Sequence, residues 1–464
     1  MRIGVGAPRG SSEGTGADAF IKTLFSDPWL ASKPDGRHSD RVASDASWDA
    51  EGKTLRLKLR SDVYFHDGTL LTPELAAQSL RVGLKSTLNF KSVESVAASG
   101  ADTVDITLKE RNAFVLTDLS GLMVTKPGEK DIGVGPYRIS GRDEQGAKLE
   151  AFPRYFRGRP GLSGIEVRNY PTQRNAWTAL MRGEIDMLHE VSRDAAEFVK
   201  AESAVRTYSF LRPYYIDLVF NIRHPILKNP EVRRAINEAL DRATLVRDGM
   251  NGRGRETDGP IWPQHWAYTP SAKPFKFDPA SARDRLERAG FKTKPASNGS
   301  MPSRLSFNCL VFSDDSRFER LAVLVQKQLA DVGIDMKLQP VSQEVLVPRG
   351  GRGDFDALLF EAAGRSLNWV YAFWRSGGEI FDTGYVSADA TLDRVKLALT
   401  EEDTRAAVAE LDRVFHDDPP AAFIAWQETS RAVSTRFDVG GGENRDILAN
   451  LWQWRPAANA QARR

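Results

Sequence analysis

The chain has 464 residues, of which 41% are apolar, so it can bury a sizeable core and is longer than most single domains. Its 64 basic and 62 acidic side chains leave a net charge of +2, which creates no long-range field that attracts nucleic acid, and we expect no nucleic-acid partner. The single cysteine, Cys309, excludes an intramolecular disulfide and any metal site built from several thiolates.

The amino-terminal segment predicts a strand, a loop and a helix. Ile3 and Val5 form the strand, a Gly/Ser-rich loop follows, and residues 17–25 have a helical pattern. A dinucleotide-binding turn requires a glycine where Arg9 stands, so we do not expect a nucleotide cofactor. The chain contains no apolar run of about 18 residues and its start has no signal-peptide profile, so an exported protein would have had its leader removed.

Residues 32–130 predict an α+β subdomain. Apolar and charged side chains alternate around Leu57 and around Ile106, as in strands with one buried face. Between these strands, Thr72 followed by Pro73 and Glu74 has the pattern of a helix start: a hydroxyl cap, a proline in the first turn and an acid beside it.

Two βαβ units follow. The first leads from a strand at residues 165–167 through a helix that ends at Gly183 to a strand at Ile185, and the second covers residues 305–338. Between them, a helix capped by Asn229 is predicted to continue along one apolar stripe as far as Val246. Two α/β lobes joined through residues 220–230 are therefore predicted, with a ligand cleft between them.

Several short blocks, in this order along the chain, carry a resemblance to a known family. The first is Tyr-Phe-His-Asp-Gly-Thr at residues 64–69. The others lie at residues 133–137, 153–160, 180–186, 220–221, 229–241, 353–356 and 419–433. Together they resemble the family 5 extracellular solute-binding proteins over nearly the whole chain.

The resemblance implies an α/β fold, a two-lobed periplasmic-binding-protein-like clamp of type II, similar to cluster C, with a subdomain inserted in lobe one. Lobe one would comprise residues 1–31, 133–224 and 431–464, the inserted subdomain residues 32–132, and lobe two residues 225–430. Such a protein captures a peptide, an oligosaccharide or an anionic conjugate and delivers it to the permease subunits of an ABC-type importer. It implies a monomer that is periplasmic, or extracellular and membrane-associated, if a leader was removed, and cytoplasmic otherwise.

In peptide-binding members of the family, an acidic residue on lobe two receives the amino terminus of the ligand. The matching position here is Arg365, which has the opposite charge. If it faces the cleft, its planar guanidinium would suit a carboxylate, phosphate or sulfate, or a sugar's hydroxyls; otherwise it is an exposed or locally paired arginine. The resemblance also implies main-chain contacts to the ligand from the loop at Glu13, Gly14 and Thr15.

Aromatic residues supply further candidates for ligand contacts. Trp369 lies in a segment with Tyr371, Phe373 and Trp374, whose spacing is also that of a helix facing a core. The remaining candidates are Trp262 and Trp266 in a Pro/Gly-rich loop, and Tyr214, Tyr215 and Asn221 in and after one strand.

Neither catalysis nor a resident metal is predicted. The six histidines have no ligand spacing, and no nucleophile elbow, zinc motif or phosphate loop is present, so we expect no catalytic residues, no metal and no cofactor. A hydrolase that uses carboxylates is one alternative function, since carboxylate pairs cannot be recognised without geometry. The other is the ligand-sensing domain of an intracellular regulator, although no DNA-binding segment precedes the first strand.

Overall fold

The computed structural model describes residues 1–6, 15–192, 195–270, 272–293, 302–313, 315–378, 380–440 and 445–458. It divides into two compact units, Met1–Phe210 with Thr429–Arg464, and Leu211–Glu428. The first is called unit 1 and the second unit 2. The residue boundaries predicted for the two lobes and for the inserted subdomain stay a prediction.

Both units combine strands with helices. The strands are β1 (Arg2–Gly6), β2 (Leu30–Ser32), β3 (His38–Asp40), β4 (Ala43–Trp48), β5 (Thr54–Leu59), β6 (Val93–Ala98), β7 (Thr103–Leu108), β8 (Thr125–Lys126), β9 (Glu129–Gly133), β10 (Tyr137–Asp143), β11 (Gly146–Ala151), β12 (Gly164–Tyr170), β13 (Met187–Leu188), β14 (Val205–Phe220), β15 (Gly254–Glu256), β16 (Leu305–Phe312), β17 (Ile334–Val341), β18 (Ala357–Ala363), β19 (Ala421–Ser434), β20 (Phe437–Asp438) and β21 (Arg455–Pro456). Strands β14 and β19 cross the boundary between the units.

The helices range from a single turn to more than four turns. They are α1 (Thr15–Phe25), α2 (Pro73–Leu84), α3 (Phe114–Gly121), α4 (Gln173–Met181), α5 (Ala196–Ala201), α6 (Pro230–Ala239), α7 (Arg242–Thr244), α8 (Pro279–Arg288), α9 (Ser316–Ala330), α10 (Gln343–Gly351), α11 (Leu367–Trp374), α12 (Asp389–Leu397) and α13 (Glu401–Asp417). Of the helices that the structure describes, none has the length and apolar character needed to cross a bilayer.

In unit 1, β1 lies between β12 and β13 and is parallel to both. The start of α4 approaches the end of β1 closely because Gly6 has no side chain: a Cβ there would lie 2.5 Å from the Cα of Gln173. As predicted, α4 is followed by Gly183, which has a φ of 69°. The next strand begins two residues later than predicted. Ile185 is buried, but strand β13 comprises Met187–Leu188.

A second part of unit 1 forms a four-stranded antiparallel sheet in the order β4, β5, β7, β6. Leu57 and Ile106 are fully buried, so the alternation along β5 and β7 separates a core face from a solvated face, as predicted. Helix α2 begins where the sequence indicates, with the hydroxyl of Thr72 accepting a hydrogen bond from the backbone N–H of Leu75 at 3.4 Å.

Two of the blocks that carry the family resemblance contact each other in unit 1. The backbone N–H of His66 donates to the carbonyl of Gly133, and its ring Nε2 lies 3.1 Å from the carbonyl oxygen of Gly135. Burial lowers the pKa of His66 to about 4, so the ring is neutral at physiological pH and donates from Nε2. These blocks therefore stabilise the scaffold of unit 1.

In unit 2, β18 lies between β14 and β16, antiparallel to the first and parallel to the second, and β17 extends the sheet beyond β16. The core of unit 2 includes Leu218 on β14, Leu321 on α9 and Leu359 on β18. The strand–helix–strand unit at β16, α9 and β17 agrees with the prediction, and Gly333, which has a φ of 85°, follows the helix.

The predicted helix from Asn229 to Val246 is interrupted, so its predicted length is wrong. Helix α6 ends at Ala239, and Leu240 has extended backbone angles. Asp241 then begins a new helix, because its carboxylate accepts hydrogen bonds from the backbone N–H and the hydroxyl of Thr244. Its own backbone N–H donates to Gln328 on α9, so a tertiary contact fixes the break.

Candidate functional site

The candidate site lies in unit 2, at the carboxyl ends of β16 and β18. These two strands are parallel, so the residues that follow them lie at the same edge of the sheet. In open α/β sheets, ligands bind at this edge. Arg317 follows β16 in the sequence, Glu361 lies near the end of β18, and Arg365 follows β18.

Arg365 is an exposed cation between the end of β18 and the start of α11. The backbone N–H of the preceding residue, Gly364, donates to the carbonyl of Pro213 at 2.9 Å, which fixes the chain before the arginine. Within the ranges described above, the guanidinium has neither a hydrogen-bond nor an ion-pair partner. It is therefore available to an anion from outside unit 2.

The first turn of α11 adds a positive electrostatic potential after Arg365 in the chain. Ser366 is its N-cap residue and has extended backbone angles, but its side chain makes no capping hydrogen bond. The Oγ atom of Ser366 is buried and has no partner among the described residues. The start of a helix carries the positive end of the helix dipole, which favours an anion.

Trp369 presents an aromatic surface in the first turn of α11. Its side chain is 38% exposed, whereas Phe373, whose ring centroid is 6.3 Å away, is buried. The helix therefore has a buried face, as its spacing allowed, and also an exposed tryptophan. An exposed ring four residues after a cation in the sequence can contact the apolar part of a ligand.

Helix α11 packs on a cluster of buried aromatic rings. Tyr215 on β14 is completely buried and its hydroxyl accepts a hydrogen bond of 3.1 Å from Nε1 of Trp374. Its ring also contacts Trp426 edge to face at 5.0 Å, and Trp426 contacts Trp262 at 5.0 Å. Tyr215 and Trp262 therefore belong to the packed support of the site, and a ligand contact from either stays a prediction.

Gly364 is required by this packing. A Cβ at this position would lie 2.4 Å from the ring of Trp426 and 2.8 Å from the ring of Tyr215. Both distances are shorter than van der Waals contact, so the rings pack directly against the backbone that carries Arg365. The position of the backbone that carries Arg365 thus depends on the aromatic cluster.

A chain of polar groups lies at the same edge of the sheet. Arg317 donates from Nη1 to Oε1 of Gln427 at 2.8 Å, and Gln427 donates from Nε2 to Oε2 of Glu361. Arg317 also donates from Nε to Asp315 at 2.6 Å. One signal for this arrangement is visible in the sequence, because Glu361 is the single acid in the apolar strand β18. Its partners across the sheet could not be inferred.

The other candidate residues lie apart from Arg365 or outside the described ranges. Asn221 is buried beyond the other end of the β14–β18 ladder, and its side-chain amide donates to the carbonyls of Gly353 and Phe355. Trp266 stacks on His265, and Arg405 of α13 lies over its ring. The backbone of Thr15 starts α1, but its side chain lies outside the described residues, as do Glu13 and Gly14.

A metal ligand set is not found in the part of the chain that the structure describes, because no group of three or more histidine, cysteine, aspartate or glutamate residues is suitably placed. The site combines the exposed guanidinium of Arg365, the start of helix α11, an exposed tryptophan and the carboxylate of Glu361. This chemistry suits the recognition of a charged organic molecule.

Comparisons with known proteins agree with the residue pattern. Residues 27–379 match the model of bacterial extracellular solute-binding proteins, family 5. The chain is 23% identical over 447 residues to the oligopeptide-binding protein AppA of Bacillus subtilis (strain 168), covering 87% of this chain and 81% of that protein. It is 24% identical over 412 residues to the glutathione-binding protein GsiB of Escherichia coli (strain K12), covering 82% and 77%.

A solved structure shares the fold. The crystal structure of NikA from Brucella suis in complex with Fe(III)-EDTA superposes with a TM-score of 0.84 at 20% identity, covering 98% of this chain and 100% of that one. The predicted fold class, a two-lobed α/β binding-protein fold, is confirmed by this similarity.

Proposed function

The chain belongs to family 5 of the bacterial extracellular solute-binding proteins, and we propose that the ligand it captures carries an anionic group that binds Arg365. Proteins of this kind bind a small solute and serve an ABC-type importer, and that is the function of this chain. The proposal concerns the chemistry of the solute.

The observation that carries the proposal is the unpaired guanidinium beside an uncapped helix start. A charge with no partner is favourable at a protein surface only because water solvates it, and it gains most when an anion replaces that water. The guanidinium N–H donors of Arg365 and the positive end of the helix dipole of α11 both favour a group of anionic oxygen atoms. A carboxylate, phosphate or sulfate fits these donors.

The relatives narrow the class of solute. AppA is an oligopeptide-binding protein and GsiB is a glutathione-binding protein, and both kinds of ligand carry carboxylates. The exposed ring of Trp369, four residues after Arg365, favours a ligand that has an apolar or ring-containing portion as well as its anionic group. We therefore favour a peptide or an anionic conjugate over a neutral oligosaccharide.

A binding screen with one variant and one control tests the proposal. Purified protein is screened by thermal shift against dipeptides, glutathione and neutral oligosaccharides, because a ligand that binds only the folded state raises the melting temperature. Affinities of the hits are then measured by calorimetry for Arg365→Ala and for Arg394→Ala. Arg394 is an exposed arginine on α12, without an ion pair among the described residues, and serves as the matched control.

We expect Arg365→Ala to weaken binding of a carboxylate-bearing hit by about 10- to 100-fold, as for a lost hydrogen bond to a charged group, while Arg394→Ala has no effect. Equal affinity of both variants and the wild type would contradict the proposal. Exclusive binding of neutral oligosaccharides would also contradict it.

The remaining parts of the proposal concern the protein's setting. It acts outside the cytoplasm, in the periplasm or attached to the outer face of a membrane, as a monomer and without catalysing a reaction of its solute. Light scattering on the purified protein measures the oligomeric state. Mass spectrometry of a hit after long incubation shows whether the ligand is recovered unchanged.

A further inference from the structure

The connection between β11 and β12 in unit 1 carries positive charge without nearby acids in the sequence. Between Glu150 and Glu166, the charged residues are Arg154, Arg157 and Arg159, and all three are exposed. The two flanking glutamates are each paired with another arginine, at 2.8 and 2.9 Å. Among the residues that the structure describes, none forms an ion pair with the three arginines. The segment therefore presents three uncompensated positive charges.

Two of these side chains lie over aromatic rings. The Cζ atom of Arg154 is 3.5 Å from the ring centroid of Tyr64, and that of Arg157 is 4.9 Å from the ring of Trp452. A ring face attracts a cation, and the N–H donors of a planar guanidinium lie at its edge, so contact with a ring leaves them available. Because the rings already restrict these two side chains, less conformational entropy is lost when they bind an anion.

Buried contacts fix the rings that hold the arginines. Tyr155 is buried, its hydroxyl donates to Asp27 at 2.6 Å, and its ring contacts Trp452 edge to face at 5.7 Å and Phe156 at 4.9 Å. A fourth arginine, Arg60, lies over Phe156, but it is paired with two aspartates at 3.3 and 3.6 Å and adds no uncompensated charge. The basic segment is therefore anchored to the core of unit 1.

The arrangement of the three arginines suits an extended anionic surface better than one small anion. Arg154 and Arg157 are held on different rings, and Arg159 lies over none among the described residues, so the charges are spread along the segment. The half-buried rings of Tyr64 and Trp452 have an apolar body and a polar atom, which suits the boundary between water and lipid. The chain serves an ABC-type importer, so a lipid surface with many phosphate groups is present where it works.

We propose that Arg154, Arg157 and Arg159 form an interaction surface for the anionic headgroups of a phospholipid membrane. This inference goes beyond the proposed function and does not depend on which solute binds Arg365. Each guanidinium binds phosphate oxygens through charge-assisted hydrogen bonds, and the summed attraction is weak and sensitive to salt. Such binding concentrates the protein at the membrane that contains its importer.

Sedimentation with lipid vesicles tests the proposal. The full chain is mixed with vesicles of equal parts phosphatidylglycerol and phosphatidylcholine, or of phosphatidylcholine alone, at about 0.01 M and about 1 M salt. The variants are the double replacement Arg154→Gln with Arg157→Gln, and the single replacement Arg159→Gln. The control is Arg174→Gln with Arg394→Gln, which removes the same two charges. Its two arginines are exposed on α4 and α12 and have no ion pair among the described residues.

We expect the wild type to bind the phosphatidylglycerol vesicles at low salt, to lose that binding at high salt, and to ignore the neutral vesicles. Each removed arginine should weaken binding by about 5-fold, so the double variant should lose about 25-fold and the control double variant should bind as the wild type does. Thermal unfolding is measured alongside, because the double variant also removes two ring contacts. Arg159→Gln removes none, so it tests the proposal even if the double variant is unstable.

Several results would overturn the inference. They are absence of binding to the phosphatidylglycerol vesicles at low salt, equal binding to neutral vesicles, and equal losses in the arginine variants and the control. Binding to immobilised polyglutamate without binding to vesicles would assign the surface to an acidic polypeptide and would also overturn it. Solute affinity, measured in the same variants, should not change, so failure here leaves the role of Arg365 intact.

Discussion

Asp217 provides a direct test of whether a buried carboxyl in unit 2 is protonated in the folded state. It lies on β14, is completely buried, and neither carboxylate oxygen has a hydrogen-bond partner among the described residues. Burial raises the pKa of Asp217 well above its ordinary value, so the group is protonated in the folded state at pH values where the unfolded chain carries it ionised.

The sign of the pH dependence of the free energy of unfolding follows from how many protons the folded and unfolded states bind. Below about pH 4, both states hold the proton and Asp217 contributes no slope. Above that, up to the folded-state pKa, the folded protein binds one proton more, so the free energy of unfolding falls by about 1.4 kcal/mol per pH unit because of this residue. Asp217→Asn cannot titrate, so its stability relative to the wild type should rise by the same amount per pH unit.

Urea unfolding of both proteins at pH 4.5, 5.5 and 6.5 measures this difference, and other titrating groups cancel because both proteins contain them. The same replacement at Asp45, exposed on β4, is the control. A difference that stays constant across the three pH values would refute the reasoning, because it would mean that Asp217 is ionised in the fold. A buried carboxyl with a shifted pKa is often catalytic, but this one has no exposed surface for a substrate to reach.

Three further replacements test the support and the surface of the site. Gly364→Ala should lower the free energy of unfolding by about 1–3 kcal/mol because its Cβ would overlap two rings, whereas Gly121→Ala, with nothing within 4 Å, should not; thermal unfolding compares them. Trp374→Phe should cost about 1–3 kcal/mol in urea unfolding because the buried hydroxyl of Tyr215 loses its donor, and the added Tyr215→Phe should recover part of that loss. Trp369→Ala should weaken a carboxylate-bearing hit by roughly 2- to 12-fold in calorimetry, and an unchanged affinity would remove the ring from the site.

Local signals in the sequence predicted much of the fold. The cap at Thr72 and the alternation around Leu57 depend on neighbouring residues only, and the structure confirms both. The helix from Asn229 to Val246 shows where this fails. Its apolar stripe is continuous, but Asp241 caps a new helix and donates to Gln328 on α9, a partner 87 residues away in the sequence.

The site was less predictable for the same reason. The position of Arg365 came from the family resemblance, and its charge is a property of the residue alone. Whether Arg365 has a partner depends on every element around it. The hydrogen bond between Glu361 and Gln427 joins β18 to β19, so it also depends on the tertiary structure. Tyr215 lies on strand β14 and Asn221 directly follows that strand. Only the packing shows that each of these polar residues already has hydrogen-bond partners.

The most direct test of the central claim is a crystal structure of the protein with a carboxylate-bearing hit from the screen. The account predicts ligand carboxylate oxygens about 2.7–3.0 Å from the guanidinium of Arg365 or the first N–H groups of α11. A ligand bound with its anionic group elsewhere, and Arg365 still without a partner, would contradict it.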